Sequence, residues 1–389
     1  MKVAVFSRYP SDAARPKGGV ESVTVVLVEA LAQIEDLDVH VLTLEPGRTN
    51  VAVEGAGQVT VHRLPSSRWP QIFDVMLGPG KRCLTRYIER LKPDILHTHE
   101  VWGLGLGGID VPHVFTVHGF DDANLIADSA KFAWVRSRLW KRVIRRGLAS
   151  QTHIISITPY VRQVIERVTN ARIYDIDNPV DTRFFGILGR PERGRILCTG
   201  WINERKNTLG SVEAFAHIAG RYPYAKLAVA GEAPEVEYLN RIKTIIDRQG
   251  IANQVEFLGH IGHTRLMDEL ARASVFLLPS RQENAPMAIA EAMAAGVPVI
   301  ASNRCGMPYM VQEGQTGFLI DPESGDQIAD RLTRLLDSPT LSHEMGLMGR
   351  QVAMKRFHPR AVAEKTVAVY RAMCAENRCP RAEVSPGVS

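Results

Sequence analysis

The sequence has few cysteines and no long hydrophobic run. Its five cysteines, among 389 residues, are scattered, and no two have the Cys-x-x-Cys spacing. This excludes a disulfide-rich scaffold and predicts free thiols in a reducing compartment. Cys374 and Cys379 do not predict a zinc site, because no second pair of ligands follows at zinc spacing. No stretch approaches the roughly 18 uncharged residues of a membrane span.

The first residues, MKVAVFSRYP, form a short apolar run that Ser7 and Arg8 interrupt, so we expect no signal peptide. We expect a cytoplasmic protein, either free or peripherally bound to the inner face of the membrane. The net charge of +5 is too small to predict a nucleic-acid partner. A hydrophobic content of 45% is typical of globular proteins, and 389 residues suit two domains.

Short hydrophobic runs alternate with helix-like stretches along the chain. The first series is KVAVFSR, DVHVLTL, TVHRL, DILHTH, VFTVHG and HIISIT, and the second is RILCTGW, KLAVAG, VEFLGH, SVFLLP, VPVIAS and TGFLI. Helical periodicity is found between them, in residues 20–33, 133–147, 208–220, 235–248 and 286–295. The alternation predicts an α/β fold of parallel sheets. The nearly continuous hydrophobic runs predict helices on both faces of each sheet.

The two series predict two doubly wound domains. We expect the first in residues 1–180 and the second in residues 190–356, with a linker lacking helical period in the Pro-, Gly- and charge-rich segment 175–195. Residues 357–376 are predicted to form an amphipathic helix that crosses back to the first domain, and residues 380–389 a disordered tail. Such sheets bind ligands beyond the carboxyl ends of their strands, so we expect the site in the cleft between the domains.

One predicted helix begins where a ligand is expected, in RQENAPMAIAEAMAAGVPVIAS, residues 281–302. Pro286 suits the first helical position, and Gly296 suits the stop after the helix. Backbone N–H groups at such a start, here including those of Met287 and Ala288, form an anion site that suits phosphate.

Two glutamates stand on either side of this helix start. Glu283 lies at its entrance, and Glu291 lies about five residues inside, roughly 7 Å along the axis. They would hold the two ends of a sugar–diphosphate–nucleoside while the helix end holds the middle. In the alternative interpretation, Glu283 is an acidic residue that the helix dipole favours at the N-terminal end, and Glu291 is a solvated glutamate one turn later. The spacing alone gives both interpretations similar weight.

Other candidate residues follow other predicted strands. Gly18 and Gly19 in RPKGGVES would let the backbone approach a ligand, although a plain turn explains them equally well, and the absence of GxGxxG argues against a nicotinamide cofactor. His118 in FTVHGF is a candidate acid, base or sugar contact, or else a structural histidine. Arg205 and Lys206 in TGWINERKNTLGSVEAF suit a leaving diphosphate, although basic pairs more often lie in solvated loops.

Histidines cluster near one predicted strand end. His97 and His99 in ILHTHEVWG share a strand face. With His113 and His118 nearby, a metal site is conceivable. No acidic or cysteine ligand clearly joins them, so we expect no metal.

The stretch KFAWVRSRLWKRVIRRG, residues 131–147, contains seven basic residues with Trp134 and Trp140 between them. Such a helix suits an anionic membrane surface, and the apolar segment 68–77 would be its companion. A helix with one buried face and one solvated face is the simpler interpretation.

The stretch with the two glutamates, followed by GQTGFLID, resembles the E-x7-E region of retaining glycosyltransferases of family 4. The similarity extends from residue 1 to about residue 373. The resemblance implies the GT-B fold, in which two Rossmann-like domains face a central cleft. It implies transfer of a sugar from a nucleotide-diphosphate sugar with retention at the anomeric carbon. It also implies that neither a metal nor another cofactor is required, because basic residues neutralise the diphosphate.

The resemblance further implies roles for individual residues. Glu283 and His118 would contact the donor sugar, and Glu291 the ribose. The loop with Gly18 and Gly19 is similar to the glycine-rich loop that approaches the donor phosphate and the acceptor.

The family pattern places Gly-Arg at the end of a strand and a lysine five residues further. Gly200 and Lys206 match this pattern, but Trp201 holds the arginine position, and Arg205 would substitute. AGE and FLGHI are similar to segments that line the nucleotide pocket, and DNPVD is similar to the hinge.

Within FLGHI, we expect His260 and Ile261 to lie near the base. The sequence departs from a common family form at Asn284, Ala285 and Pro286, where that form has Gly, an aromatic residue and Gly.

The sequence thus predicts a retaining glycosyltransferase whose acceptor is a glycan, a lipid-linked saccharide or a small metabolite. Glu283 is the one candidate for a covalent nucleophile. Two alternatives remain: a nucleotide-sugar epimerase or hydrolase of the same fold, and a binding protein that lost the chemistry. A phosphorylase is disfavoured because no pyridoxal-lysine motif is evident.

Overall fold

The computed structural model describes residues 1–13, 16, 18–66, 78–99, 101–106, 108–119 and 133–378. These residues form two compact units. The N-terminal unit contains Met1–Ser156, Arg162–Ile176 and the described residues from Val362 onward, and the C-terminal unit contains Ile157–Val161 and Asp177–Ala361. The sequence pattern does not indicate that Ile157–Val161 belongs with the second unit.

Strands and helices alternate along the chain. The first part contains β1 Lys2–Phe6, α1 Gly19–Ala32, β2 Asp38–Pro46, β3 Ala52–Ala56, β4 Val59–Ser66, α2 Pro79–Leu91, β5 Ile95–His99, a 3₁₀ helix Val101–Leu106, β6 His113–Val117, α3 Ala133–Ala149, β7 His153–Ser156, α4 Pro159–Ile165 and β8 Arg172–Asp175. The second part contains α5 Thr182–Phe185, β9 Arg195–Thr199, α6 Thr208–Ala219, β10 Lys226–Ala230, α7 Val236–Arg248, a 3₁₀ helix Ala252–Gln254, β11 Val255–Gly259, α8 His263–Arg272, β12 Val275–Leu278, α9 Met287–Ala294, β13 Val299–Ser302, a 3₁₀ helix Met307–Tyr309, β14 Gly317–Ile320, α10 Gly325–Asp337, α11 Pro339–Arg356 and α12 Pro359–Arg378.

The described strands of the N-terminal unit form one sheet in the order β3–β4–β2–β1–β5–β6–β7–β8. Neighbours are parallel except for β3 and β4, which are antiparallel. Val3 of β1 lies opposite Val39 of β2 and Ile95 of β5. Val3 and the next residue, Ala4, belong to different buried clusters, so both faces of the sheet are covered.

The described strands of the C-terminal unit form a parallel sheet in the order β11–β10–β9–β12–β13–β14. Ile196 and Leu197, consecutive in β9, also belong to different buried clusters. The predicted parallel sheets with two covered faces are therefore confirmed.

All twelve predicted strands are present, but β3 and β8 were not predicted. They are the two edge strands of the N-terminal sheet. The residues of β3 are half-buried or exposed, and so are those of β8, which is exposed at both ends and half-buried between them. A strand at a sheet edge that buries little surface carries no hydrophobic pattern, which is why the sequence does not reveal it.

The predicted linker 175–195 contains a short helix, contrary to the expected lack of helical period. The carboxylate of Asp181 accepts a hydrogen bond from the N–H of Arg183 at 2.8 Å and caps α5. Phe184 and Phe185 are buried in a core cluster of the C-terminal unit. Much of this segment is therefore part of a folded core.

Helix α12 belongs to the core of the N-terminal unit. Its residues Val362, Val367 and Tyr370 are buried in the same cluster as Val3 of β1. No helix in the described parts of the chain is long and apolar enough to cross a membrane. The apolar segment 68–77, the first two residues of the basic stretch and the tail 380–389 lie outside the described residues.

Candidate functional site

The candidate site lies in the C-terminal unit, at the carboxyl ends of two neighbouring strands. β9 and β12 are parallel neighbours. The loops that follow them, residues 200–207 and 279–286, therefore leave the same edge of the sheet. The first loop carries the two predicted cations, and the second carries the glutamate at the helix entrance. Open parallel sheets bind their ligands at this edge.

The structure brings Glu283, Arg205 and Lys206 into direct contact. Oε1 of Glu283 lies 2.7 Å from Nη1 of Arg205 and 2.7 Å from Nζ of Lys206. The side chains of Lys206 and Glu283 are only 13% and 12% exposed, so solvent screens their attraction less than that of a surface ion pair. Two cations and one carboxylate leave this cluster with a net positive charge.

The backbone of the first loop makes room for Lys206 and holds it. Gly200 has φ of +123°, and a Cβ atom there would lie 2.9 Å from Cε of Lys206. Asn203 accepts the backbone N–H of Lys206 on Oδ1 at 3.0 Å. Asn207 adopts a left-handed conformation and donates from Nδ2 to the carbonyl oxygen of Pro322 at 2.7 Å. Glycine at position 200 is thus favoured by its backbone angle, and it leaves room for the end of the Lys206 side chain.

The second loop is held through its backbone. The N–H of Gly306 donates to the carbonyl oxygen of Glu283 at 2.9 Å. A Cβ atom at Gly306 would lie 1.6 Å from the carbonyl oxygen of Asn284. The hydroxyl of Thr158 donates to that same oxygen at 3.1 Å. These contacts fix the segment in which the sequence departs from the common family form.

Helix α9 starts at Met287, one residue later than predicted. Pro286 is its N-cap, with ψ of 117°, so the prediction that Pro286 is the first helical residue is wrong. The amides of Met287 and Ala288 lie in the first turn, where the helix dipole is positive and intrahelical acceptors are lacking. Gly296 follows the helix with φ of +78° and donates to the carbonyl oxygen of Met293 at 3.0 Å, as predicted for the stop.

Glu291 is the fifth residue of α9, between the buried residues Ala290 and Ala292. Burial, as the largest cause, and the nearby carboxylate of Asp181 together raise the pKa of Glu291 to about 7, against the lowering effect of Lys206. Near neutral pH the side chain is therefore divided between its neutral and ionised forms. A bound group that donates hydrogen bonds to it would favour the ionised form. The sequence does not indicate the influence of Asp181.

A depression of about 250 Å³ adjoins the first loop and is lined by Gly200, Trp201 and Lys206, among others. Trp201 is 54% exposed. His260 and Ile261, predicted to lie near a base, follow β11 of the same sheet, with His260 exposed and Ile261 half-buried. The structure thus places both residues after a strand of the sheet that carries the candidate site.

Gly18 and Gly19 belong to the N-terminal unit. Gly18 is the extended N-cap of α1, and Gly19 is its first residue. A Cβ atom at either position would meet no atom within 4 Å in the described structure. Packing against the described residues therefore does not demand glycine at either position. Ala14, Arg15 and Lys17 of this loop lie outside the described residues.

His118 is also in the N-terminal unit, at the end of a series of histidines. Nε2 of His118 lies 2.8 Å from Nδ1 of His99. His97 contacts the hydroxyls of Tyr370 and Thr116, both at 2.6 Å. Burial lowers the pKa of His118 to about 4 and the pKa of His97 to about 3, and it also lowers the pKa of His99. These rings are neutral near pH 7, so His118 suits a hydrogen bond better than the role of a charged acid.

The proton positions in this pair follow from the burial of His99. Its Nε2 atom is buried and has no hydrogen-bond partner in the part of the chain that the structure describes. A neutral imidazole carries one N–H, and a buried N–H without an acceptor is rarer than an unpaired acceptor. We therefore assign the proton of His99 to Nδ1, which donates to Nε2 of His118. Among the described residues, no group of three or more His, Cys, Asp or Glu side chains is placed to hold a metal ion.

Two family models match the chain. The model for "Glycosyl transferases group 1" matches residues 181–352, and the model for "Glycosyltransferase Family 4" matches residues 17–184. Together the two matches extend over most of the described sequence.

Individual proteins agree with these models. A glycogen synthase of Mycobacterium tuberculosis is 27% identical over 308 residues, which are 75% of this chain and 71% of that protein. Sucrose-phosphate synthase from Thermosynechococcus elongatus has a TM-score of 0.78 at 22% identity, covering 96% of this chain and 99% of that one. Anabaena HepE in complex with UDP-glucose has a TM-score of 0.70 at 17% identity, covering 96% and 100%. These structures share the fold of two Rossmann-like units.

Proposed function

This chain belongs to glycosyltransferase family 4 and has the GT-B fold, and we propose that it transfers a sugar from a nucleotide-diphosphate sugar to an acceptor hydroxyl with retention. The observation that carries the proposal is the contact of Arg205 and Lys206 with Glu283 beside the start of α9. Charge of this sign at a strand end suits a leaving diphosphate.

The donor would extend from this cluster along α9. The amides of Met287 and Ala288 would bind phosphate oxygens, because they lie at the positive end of the helix dipole. Glu291, four residues beyond the first helical residue and so roughly 6 Å along the axis, would accept hydrogen bonds from the ribose diol. The UDP-glucose complex of a protein with the same fold supports a nucleotide sugar as donor.

In the transfer step, the acceptor hydroxyl would attack the anomeric carbon from the face that the diphosphate leaves. The bond between that carbon and the phosphate oxygen breaks, and the hydroxyl proton passes to the leaving phosphate. Arg205 and Lys206 would stabilise the developing negative charge, so we propose that no metal is required. Glu283 is a poor covalent nucleophile, because one of its oxygens already accepts from two cations.

Thermal unfolding with UDP, GDP, ADP and dTDP in turn tests the donor site. A ligand at about a hundred times its dissociation constant stabilises a protein by about 2.7 kcal/mol. We expect one nucleotide to raise the midpoint of the wild type, and to raise it less in Glu291→Ala. Glu344→Ala, at an exposed position on α11, is the matched control. If no nucleotide shifts the wild type, the proposal is wrong.

Turnover distinguishes transfer from the alternatives. We expect Lys206→Ala to lower the transfer rate by about a hundredfold or more, as for loss of one preorganised charge at a transition state. Product analysis with and without added acceptors separates transfer from hydrolysis or epimerisation of the donor. Intact donor after long incubation with a broad panel of acceptors would instead favour a binding protein.

The acceptor is proposed to be presented at an anionic surface. Exposed basic residues of α3 recur with the spacing of a single helix face: Arg138, Lys141, Arg142, Arg145 and Arg146. Such a face attracts anionic lipids. We propose peripheral attachment to the cytoplasmic leaflet and a lipid-linked acceptor. Sedimentation with vesicles of phosphatidylcholine, with or without phosphatidylglycerol, tests the attachment, and Arg142→Glu/Arg145→Glu should abolish it.

A further inference from the structure

Arg281 connects the two loops of the site. Its Nη1 donates to the carbonyl oxygen of Glu204 and to Oε2 of the same residue, both at 2.7 Å. Its backbone N–H donates to the carbonyl oxygen of Arg205 at 2.8 Å. Its Nε and Nη2 donate to the two carboxylate oxygens of Glu323, at 2.8 and 3.2 Å. A planar guanidinium can bond to the four acceptor oxygens on Glu204 and Glu323 at once, whereas a lysine ammonium group cannot reproduce this forked geometry.

Further ion pairs surround these bonds. They are Arg241 with Glu204 at 2.7 Å, Arg304 with Glu323 at 3.4 Å, and Arg304 with Asp321 at 2.8 Å. Together with Arg281, three arginines face three carboxylates, so the network adds no net charge to the site. The positive charge offered to a ligand therefore remains that of Arg205 and Lys206.

Fold stability does not explain this arrangement. The side chains of Arg281, Glu204 and Glu323 are 35%, 49% and 47% exposed. Ion pairs with this exposure contribute little to the free energy of unfolding. One bond from the guanidinium of Arg281 ends instead on a main-chain oxygen, that of Glu204, two residues before Lys206. The backbone N–H of Arg281 holds the next carbonyl oxygen, that of Arg205, and this second bond is kept in any side-chain substitution except proline. Their effect is on where this short backbone segment lies.

We propose that Arg281 is a positioning residue that holds Arg205 and Lys206 in place for the diphosphate of the donor. The inference rests on the proposed function, because it gives the two cations their ligand. A displacement of about 1 Å from a productive geometry can cost a hundredfold in rate. We therefore expect Arg281→Gln to lower kcat by about 10- to 100-fold and to move the thermal midpoint by only a few degrees.

Binding measurements separate positioning from a general structural role. The probes are whichever of UDP, GDP, ADP and dTDP stabilises the wild type, and the corresponding nucleoside without phosphates. We expect Arg281→Gln to bind the nucleoside as tightly as the wild type does. The diphosphate advantage, which is the ratio of the affinity for the nucleoside diphosphate to the affinity for the nucleoside, should fall at least fivefold. Arg281→Lys should be intermediate. Arg241→Gln is the matched control, since Arg241 pairs with the same Glu204 but bonds to neither carbonyl oxygen, and it should keep the full diphosphate advantage.

A mutant cycle tests whether Arg281 acts through the two cations. In an Arg205→Ala/Lys206→Ala background, Arg281→Gln should have little further effect on the diphosphate advantage. An unchanged advantage in Arg281→Gln, or a full additional loss in the Arg205→Ala/Lys206→Ala background, would overturn the inference while leaving the proposed function intact. Failure of the wild type to bind any of the four nucleotides would overturn both.

Discussion

One carboxylate oxygen of Glu283 contacts both Lys206 and Arg205, at 2.7 Å each. This internal anion therefore occupies the two cations that are proposed to bind a diphosphate. Any diphosphate that reaches them must compete with Glu283 or share them with it. The same contact also keeps two like charges close together in the free protein.

We predict that Glu283→Gln binds the nucleoside diphosphate more tightly than the wild type but transfers sugar more slowly. The affinity should rise because the competing negative charge is removed, by about tenfold if the lost attraction is near 1.4 kcal/mol. Turnover should fall if Glu283 makes the contact with the donor sugar that the family resemblance implies. Isothermal titration with the nucleotide and steady-state kinetics measure the two effects. Weaker nucleotide binding in Glu283→Gln would show that Glu283 does not compete with the diphosphate.

The sequence predicted the sheets because most central strands are nearly continuous hydrophobic runs. Strands β1, β9, β10, β12 and β13 consist mostly of buried residues. The two edge strands of the N-terminal sheet, β3 and β8, lack the pattern because little of their surface is buried. The local hydrophobic pattern thus indicates which elements are buried. It does not reveal an element that joins a sheet by hydrogen bonds but contributes few side chains to the core.

The site could be predicted in part, for a similar reason. Glu283, Lys206 and Glu291 lie at strand ends or a helix start that the sequence pattern reveals. The influence of Asp181 on Glu291, and the bonds of Arg281 to Glu204, join residues far apart in the chain. Only the fold brings such residues together, so neither the spacing of residues nor the composition of the sequence indicates these contacts.

Glu291 should make the protein more stable at acidic than at neutral pH. Its folded pKa of about 7 lies above the ordinary value of 4.5. Between those values the folded state binds the proton more tightly, so the contribution of Glu291 to the free energy of unfolding falls as pH rises from about 4.5 to 7. We expect Glu291→Gln to be more stable than the wild type at pH 8, by on the order of 1–2 kcal/mol, and similar to it near pH 5.

Urea denaturation at pH 5, 6, 7 and 8 measures this difference, with Glu344→Gln as the exposed control. Nucleotide affinity should show the opposite trend in the wild type, because the ribose diol is proposed to donate to the ionised carboxylate. It should rise with pH across about 7 more steeply than in Glu291→Gln, where only the ionisation of the terminal phosphate contributes. Parallel stability curves for the wild type and Glu291→Gln would contradict the assigned burial effect.

The histidine pair of the N-terminal unit should show a defined tautomer. We expect His99 to carry its proton on Nδ1 and His118 to accept on Nε2 at pH 7, because Nε2 of His99 is buried without a partner among the described residues. Long-range ¹H–¹⁵N spectra of histidine-labelled protein measure this directly. In His99→Asn, the amide can donate from a similar position, so His118 should keep its tautomer. In His99→Leu this donor is lost, so the proton of His118 should no longer be confined to one ring nitrogen. A proton on Nε2 of His99 would refute the assignment.

A buried ion pair far from the candidate site should dominate the stability of the C-terminal unit. Nη2 of Arg195 lies 2.5 Å from Oε2 of Glu269, and these side chains are only 4% and 3% exposed. Arg195→Met would leave the Glu269 carboxylate in the core with only a longer contact, 3.3 Å, to Arg272. Removing one partner of such a pair costs about 3–5 kcal/mol, because the other charge stays buried.

Urea denaturation at pH 7 should show this loss for Arg195→Met and recover much of it in Arg195→Met/Glu269→Leu, in which no buried charge is left alone. Arg221→Met is the control, since Arg221 pairs with Asp337 at 2.7 Å but the side chains are 63% and 46% exposed. It should cost no more than about 1 kcal/mol. Equal losses in Arg195→Met and Arg221→Met would mean that burial of the Glu269 charge is not what makes the first pair important.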